Sequence, residues 1–245
     1  VVHRGGGLLV IEGPPGIGKT SLIAEAKARA QEAAVQVLSA RGSELERAFS
    51  YGVVRQLFEP FLARLSGEER AELLTGAAAL ATPLFEPAQL AEESADDASL
   101  ASLHGLYWLT ANVASRRPLL VGVDDLHCSD VPSLRWLAYL LPRMEGHSLV
   151  IVAGLRPGEP GEDPGLLGQI ISDPLATVIR PAPLSKEATT QLVRTALSLE
   201  ADDAFCAASH EETGGNPQLL RELVQATASE GVAPTKGKRP APARA

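Results

Sequence analysis

The chain has 245 residues, 45% of them hydrophobic and 21% charged, with a formal net charge of −8. That length and apolar content fit one large folded domain or a domain with a smaller appendage, and the negative balance argues against a surface that binds nucleic acid throughout. No apolar run reaches the length of a membrane span and no signal peptide opens the chain, while Cys128 and Cys206 lie far apart in no metal-ligand spacing, so reduced thiols in a cytoplasmic protein are expected.

In chain order, the apolar run Leu8-Leu9-Val10-Ile11 predicts a buried strand and Ser21 to Ala30 predicts a helix. Between them, Gly13-Pro14-Pro15-Gly16-Ile17-Gly18-Lys19-Thr20 fits the phosphate-binding pattern G-x-x-x-x-G-K-[ST] at each fixed position. Strand, glycine loop and helix N-terminus would gather backbone N–H groups, through Ser21, around one anion. The glycines permit backbone angles and close approaches that a Cβ would hinder. Lys19 would reach the β- and γ-phosphates of a nucleoside triphosphate, and the Thr20 hydroxyl would hold Mg²⁺.

Four more strands are predicted at Val35–Ala40, Leu119–Val123, Leu149–Ala153 and Ala176–Arg180, with helical stretches between most of them. The fold expected is α/β, a five-stranded parallel sheet with helices on both faces. A long insertion after the second strand holds helices predicted over 46–65, 68–81 and 98–115, with Val53, Leu57, Phe61 and Leu65 as an apolar stripe and 81–97 as an exposed loop. After the fifth strand, Ser185 would cap a helix from Lys186 to about Leu199. Asp202 or Asp203 would open another that stops at Gly214-Gly215, and Asn216 would cap a third with Pro217 at its first position. These define a core over 1–181, a small helical lid over 182–230 and a tail over 231–245. The tail's 233–245 segment (APTKGKRPAPARA) reads as a linker. With Val1 at the start and Met144 as the single methionine, both ends are expected to be cut from a longer polypeptide.

The third strand ends in Asp124-Asp125, the pattern that delivers a carboxylate beside bound phosphates. Asp124 would hold Mg²⁺ through water, and Asp125 would orient or deprotonate the attacking water. Arg156, just past the fourth strand, is either a sensor of the γ-phosphate or a surface arginine in a turn. Asp130 reads as an N-cap ahead of Pro132, and His127 as a local hydrogen-bonding residue.

Together GPPGIGKTSL, VDDLHCSDVPSLRWL, Arg156-Pro157 and TGGNPQLLREL resemble the STAND class of P-loop ATPases, within the wider AAA/ASCE type. The resemblance spans roughly 7–228 and is strongest to the ATPase domain of large LuxR-type transcriptional regulators of actinobacteria, to which the segment ARGSELERAFSYGVVRQLFEP is also similar. It implies an ATP/ADP switch with Mg²⁺ as cofactor, closed with ADP, open and self-associating with ATP, and slow in hydrolysis. By the same resemblance Pro217 touches the nucleotide and Arg156 meets the γ-phosphate. The family's sensor repeats and helix-turn-helix, and its segment lining the adenine pocket ahead of the first strand, are missing. This chain alone is therefore expected not to bind a promoter, and the lack of a membrane-length apolar run leads to the expectation of no membrane partner. The alternative functions are an AAA-type motor or loader and, further off, a small-molecule kinase. The motor would need an arginine aimed at a neighbour's nucleotide, often from between strands four and five. Pro157 to Ile179 contains no Arg or Lys.

Overall fold

The computed structural model describes residues 6–86, 100–159, 161, 163–197 and 201–229. The tail expected over 231–245, and residues 87–97 of the expected loop, lie outside them. The chain groups into two compact units. One takes residues up to Glu12 together with Lys19–Ile179; the other takes Gly13–Gly18 together with the chain from Arg180.

The first unit is built on five parallel strands, β1 (Gly7–Glu12), β2 (Gln36–Arg41), β3 (Leu119–Asp124), β4 (Leu149–Leu155) and β5 (Ala176–Ile179), in the order β2-β3-β4-β1-β5. Alternate residues of a strand face opposite sides, and both sides are covered. Leu8, Val10, Val121, Val123, Ile151 and Ala153 enter the large core with Leu57, Leu106, Leu134 and Trp136. On the other face Ile11, Leu120 and Val152 meet Ile23 and Ala30 of α1 (Lys19–Glu32). Burial on both faces is why these strands read as apolar runs rather than as alternating patterns.

The insertion departs from the helices expected over 46–65 and 68–81. A single 3₁₀ turn occupies Glu44–Glu46, and α2 starts only at Gly52 and runs to Leu62. Its start is fixed by a residue remote in sequence. The Asp130 carboxylate accepts the amides of Tyr51 at 2.9 Å and Val53 at 3.1 Å, meeting donors that a helix N-terminus leaves orphaned. The same carboxylate accepts Ser133 N–H at 2.9 Å and so caps α5 (Val131–Leu140), the role expected for it. Farther on, α3 (Gly67–Leu73) opens with a Ser66/Glu69 capping box, and Gly76 at φ +61° begins a separate 3₁₀ stretch to Phe85. Ala81 and Leu84 are buried, so this end of the expected exposed loop belongs to the core. Two further helices, α4 (Leu100–Arg116) and α6 (Pro164–Ile171), complete the unit.

In the second unit α7 (Lys186–Ala196), α8 (Asp203–Thr213) and α9 (Pro217–Ser229) enclose a small core of Val193, Phe205, Cys206, Leu220, Leu223 and Val224. Helix α7 stops at Ala196, short of the expected Leu199, which lies outside the described residues. Ser185 caps α7 and Asp202 caps α8, and Gly214 ends α8 at φ +57°. The Asn216 side chain accepts Gln218 N–H at 3.0 Å and Leu219 N–H at 3.3 Å, so it is the N-cap of α9, with Pro217 first in the helix.

Asp130 is 2% exposed and satisfies three amides on two helices. Asp130→Ala should therefore lower the unfolding free energy by about 2–4 kcal/mol in urea denaturation, more than a lone cap, with Asp130→Asn intermediate. A loss no larger than that of an exposed cap would show that α2 does not depend on this carboxylate.

Candidate nucleotide site

In the first unit the site grows from the end of β3, where Asp124 and Asp125 are 7% and 6% exposed. Asp124 projects into room left by Gly154 of β4, where a Cβ would stand 2.7 Å from Asp124 Oδ1. The Thr20 hydroxyl, in the first turn of α1, donates to Asp124 Oδ2 at 2.6 Å. The Asp125 amide donates to Asp124 Oδ1 at 3.1 Å. Asp125 itself has φ +50°, a left-handed backbone that turns the chain sharply out of β3.

Arginines from the two strands flanking β3 address Asp125. Arg41, at the end of β2, donates to Asp125 Oδ2 from Nε at 3.1 Å and Nη2 at 2.9 Å. The Arg41 main chain is gripped by Gln56 of α2, whose side-chain oxygen accepts its N–H at 2.9 Å and whose amide donates to its carbonyl at 3.2 Å. Arg156, past β4, brings Nε to 3.4 Å from Asp125 Oδ1. Nη1 of Arg156 donates to Glu159 Oε1 at 3.2 Å, and Glu159 Oε2 lies 2.9 Å from Nε2 of the fully buried His127.

Burial sets the electrostatics. Lys19, 6% exposed, has its pKa lowered first by desolvation and next by Arg156, against the pull of Asp125, Asp124 and Glu159. Burial likewise depresses His127, with Glu159 and Asp125 opposing. Desolvation acts to raise the Glu159 carboxyl, but the Arg156 hydrogen bond and charge outweigh it and leave the pKa lowered. Cys128 Sγ, 3.5 Å from Arg47 Nη2, is raised by burial despite that arginine.

In the second unit the loop of Gly13–Gly18 is held by α9. Asn216 Nδ2 donates to the Pro15 carbonyl at 3.1 Å, and Gln218 N–H donates to the Gly16 carbonyl at 3.2 Å. Gly16 and Gly18 take φ +77° and +103°, which L side chains rarely adopt. Pro217 Cγ stands 4.0 Å from where a Gly18 Cβ would be. Gly13 and Ile17 are buried, whereas Pro14, Pro15, Thr20 and Ser21 are exposed.

Each unit by itself carries part of what a magnesium nucleotide needs. In the second, positive-φ glycines leave a loop whose amides can turn toward an anion. The rest lies in the first. Thr20 and Asp124 already share a hydrogen bond at 2.6 Å and form an oxygen pair of the kind Mg²⁺ takes alongside water and phosphate. A bound magnesium nucleoside triphosphate would supply the electrophilic phosphorus and the metal charge. The chain would supply the Lys19 ammonium and the Thr20 and Asp124 oxygens, while Asp125 is engaged by Arg41 and Arg156.

Of the residues expected from sequence, Lys19, Thr20, Asp124, Asp125 and Arg156 converge in the first unit. Gly13, Pro14, Pro15, Gly16, Ile17, Gly18 and Pro217 belong to the second. Arg41, Glu159 and Gln218 escape sequence reasoning. A charged residue ending β2 was the available signal for Arg41, but only the β2–β3 pairing, with Arg41 opposite Asp124, shows where it points. Gln218 is masked by its ordinary place in the first turn of a helix.

Stability should depend on pH through this cluster. His127 has a folded pKa below its ordinary value of 6.5, and Glu159 is also lowered, so the unfolded chain binds more protons than the native one as pH falls. The stabilisation is fully present above the ordinary histidine value and declines as pH drops through and below it. Melting temperature should fall between about pH 7.5 and about pH 5.5, and fall less in His127→Gln. Equal losses in both proteins would remove His127 from the account.

Comparison with known proteins agrees with this geometry. The model of the AAA ATPase domain family matches residues 1–152. Among solved structures, the chain is similar to a Signal Transduction ATPase with Numerous Domains (STAND) protein with a tetratricopeptide repeat sensor from Pyrococcus horikoshii. That similarity has 18% identity and a TM-score of 0.56, over 89% of this chain and 27% of that one. It is also similar to a Walker-type ATPase of Pyrococcus abyssi, at 16% identity and TM-score 0.50, over 91% of this chain and 63% of that one. A DNA replication initiation factor aligns at 14% identity and TM-score 0.50, over 92% and 56% of the respective chains. Likeness at such identities speaks to the fold, a parallel P-loop α/β sheet. The chain spans 27% and 63% of the first two structures. No curated protein sequence matches it significantly. Among the described residues, no helix is long and apolar enough to cross a membrane. By the match over residues 1–152, carrying both the glycine loop and the paired carboxylates, the chain belongs to the AAA ATPase domain family.

Proposed function

We propose that the chain is a regulatory nucleotide switch of the STAND class, binding ATP or ADP with Mg²⁺ and hydrolysing ATP slowly. In this reading it is the ATPase module of a large LuxR-type transcriptional regulator, with signal sensing and promoter binding assigned to other parts of a longer polypeptide. Gly13 to Ser21 bind the phosphates, Lys19 reaches the β- and γ-phosphates, and Thr20 with Asp124 holds Mg²⁺. Asp125 orients the attacking water, Arg156 meets the γ-phosphate and Pro217 touches the nucleotide.

The observation that carries the reading is the attachment of Asn216 and Gln218 to the carbonyls of Pro15 and Gly16. Helix α9 is thereby tied to the very loop that would surround the phosphates. Any rearrangement of that loop on nucleotide exchange must be passed to α9 or break these bonds. A ligand shifts a conformational equilibrium only through contacts that differ between the two states. Slow hydrolysis is supported by the contacts of Asp125, whose two oxygens both face guanidinium groups and so are already engaged where a water would have to dock.

Purified chain should retain or bind ADP and turn over ATP far below a typical enzyme rate of about 10 s⁻¹. Fast hydrolysis that rises with protein concentration would favour the motor reading instead. Lys19→Ala should abolish nucleotide binding in calorimetry, and Asp125→Asn should bind normally but hydrolyse more slowly. Pro217→Ala should speed ADP release in stopped-flow measurements. Release as slow as in the parent would leave Pro217 a helix-capping residue only.

A further inference from the structure

Arg156 is held from two sides, and the two contacts differ in kind. Its approach to Asp125 is a 3.4 Å ion pair with a carboxylate already engaged by Arg41 through its other oxygen. Its bond to Glu159 is a directed hydrogen bond of 3.2 Å from Nη1. An Arg–Glu pair three residues apart on a surface is ordinarily a weak, solvated contact. This one also has a buried neighbour: the other Glu159 oxygen lies 2.9 Å from Nε2 of His127, a side chain with 0% exposure. Gly158 at φ +77° turns the chain immediately before Glu159, and a Cβ on Gly161 would stand 3.3 Å from the His127 carbonyl, so the loop lies close on the His127 segment. Both ends of the Arg156–Glu159 pair also act on Lys19, which Arg156 repels and Glu159 attracts.

We infer that Glu159 is a positioning residue that competes with a γ-phosphate for Arg156, so that a γ-phosphate gains Arg156 only by displacing it from the Glu159 carboxylate. The inference rests on the proposed role of Arg156 as the γ-phosphate contact and adds what opposes that contact. Glu159 holds the guanidinium through its Nη1 hydrogen bond, and ATP must break that link whereas ADP need not. Glu159 thus lowers affinity for ATP selectively and sets the nucleotide ratio at which the switch turns over.

The test is a double-mutant cycle of parent, Glu159→Gln, Arg156→Ala and the double variant. Each is titrated with Mg²⁺-ADP and with a Mg²⁺-bound non-hydrolysable ATP analogue. Glu159→Gln should tighten the ATP analogue about two- to fivefold, the range of a partly exposed ion pair, and leave ADP unchanged. That gain should vanish in the Arg156→Ala background. If Arg156→Ala alone leaves the ratio of ATP-analogue to ADP affinity unchanged, the role of Arg156 fails and the inference falls with it. If Arg156→Ala does reduce the ratio, three outcomes overturn the Glu159 inference alone: no gain in Glu159→Gln, an equal gain for ADP, or a gain that persists in the double variant. The last two would mark a general charge effect. The Glu159 side chain is 39% exposed, so its variants are expected to fold, and Glu159→Ser provides a second neutral replacement read by the same titrations.

Discussion

The burial of two adjacent carboxylates at the end of β3 is the constraint on which the first unit depends. Asp124 and Asp125 are each less than a tenth exposed, and an uncompensated buried charge is costly enough to unfold a domain or to protonate instead. The chain compensates them differently. Asp124 receives neutral donors, the Thr20 hydroxyl and the Asp125 amide, and so remains an oxygen site that a cation can enter. Asp125 receives the Arg41 and Arg156 guanidiniums, which neutralise it but also occupy it. Neighbours in sequence thereby become unlike in chemistry.

Much of the surrounding architecture serves this arrangement. Strand β3 lies between β2 and β4, so residues leaving those strands are the ones able to reach its end. Arg41 leaves β2 and Arg156 leaves β4. Gly154 leaves the space that Asp124 fills, and a Cβ on Gly42 would collide with the Asp125 carbonyl. Farther out, Gln56 fixes the Arg41 main chain from α2, and α2 is in turn started by the Asp130 carboxylate. A polar chain thus runs from the cap of α5 through α2 to Asp125, each link a directed bond to a named main-chain or side-chain group. Such links give the site a geometry that apolar packing, being non-directional, would not specify.

The second unit solves a different problem. Its three helices among the described residues have a small core and rely on caps at Ser185, Asp202 and Asn216 to define their starts. Asn216 does two things at once: its side-chain oxygen caps α9 while its amide nitrogen holds the Pro15 carbonyl. A serine or aspartate could cap as well but carries no amide to hold that carbonyl. The choice of asparagine therefore has a reason beyond helix stability.

Legible in the sequence are the five strands, the glycine loop, the carboxylate pair and the caps at Asp130, Ser185 and Asn216, while the cap of α8 stays open there between Asp202 and Asp203 and the structure gives it to Asp202. These are local properties: apolar runs of strand length, side chains that meet a nearby amide, and a motif whose residues are contiguous. The tertiary structure alone decided where α2 begins, because the carboxylate that starts it lies about eighty residues away in the chain. It also broke the expected helix over 68–81 at Gly76 and folded Ala81 and Leu84 into the core, where the pattern of prolines and acids suggested solvent. It placed Arg41 and Glu159 on the site, which composition and spacing do not reveal, since each is a commonplace charged residue beside a strand or in a turn. What such a residue does depends on which strand lies beside its own and how a turn aims its side chain. Parallel pairing is set by contacts between segments far apart in sequence, and those exist only once the sheet has formed.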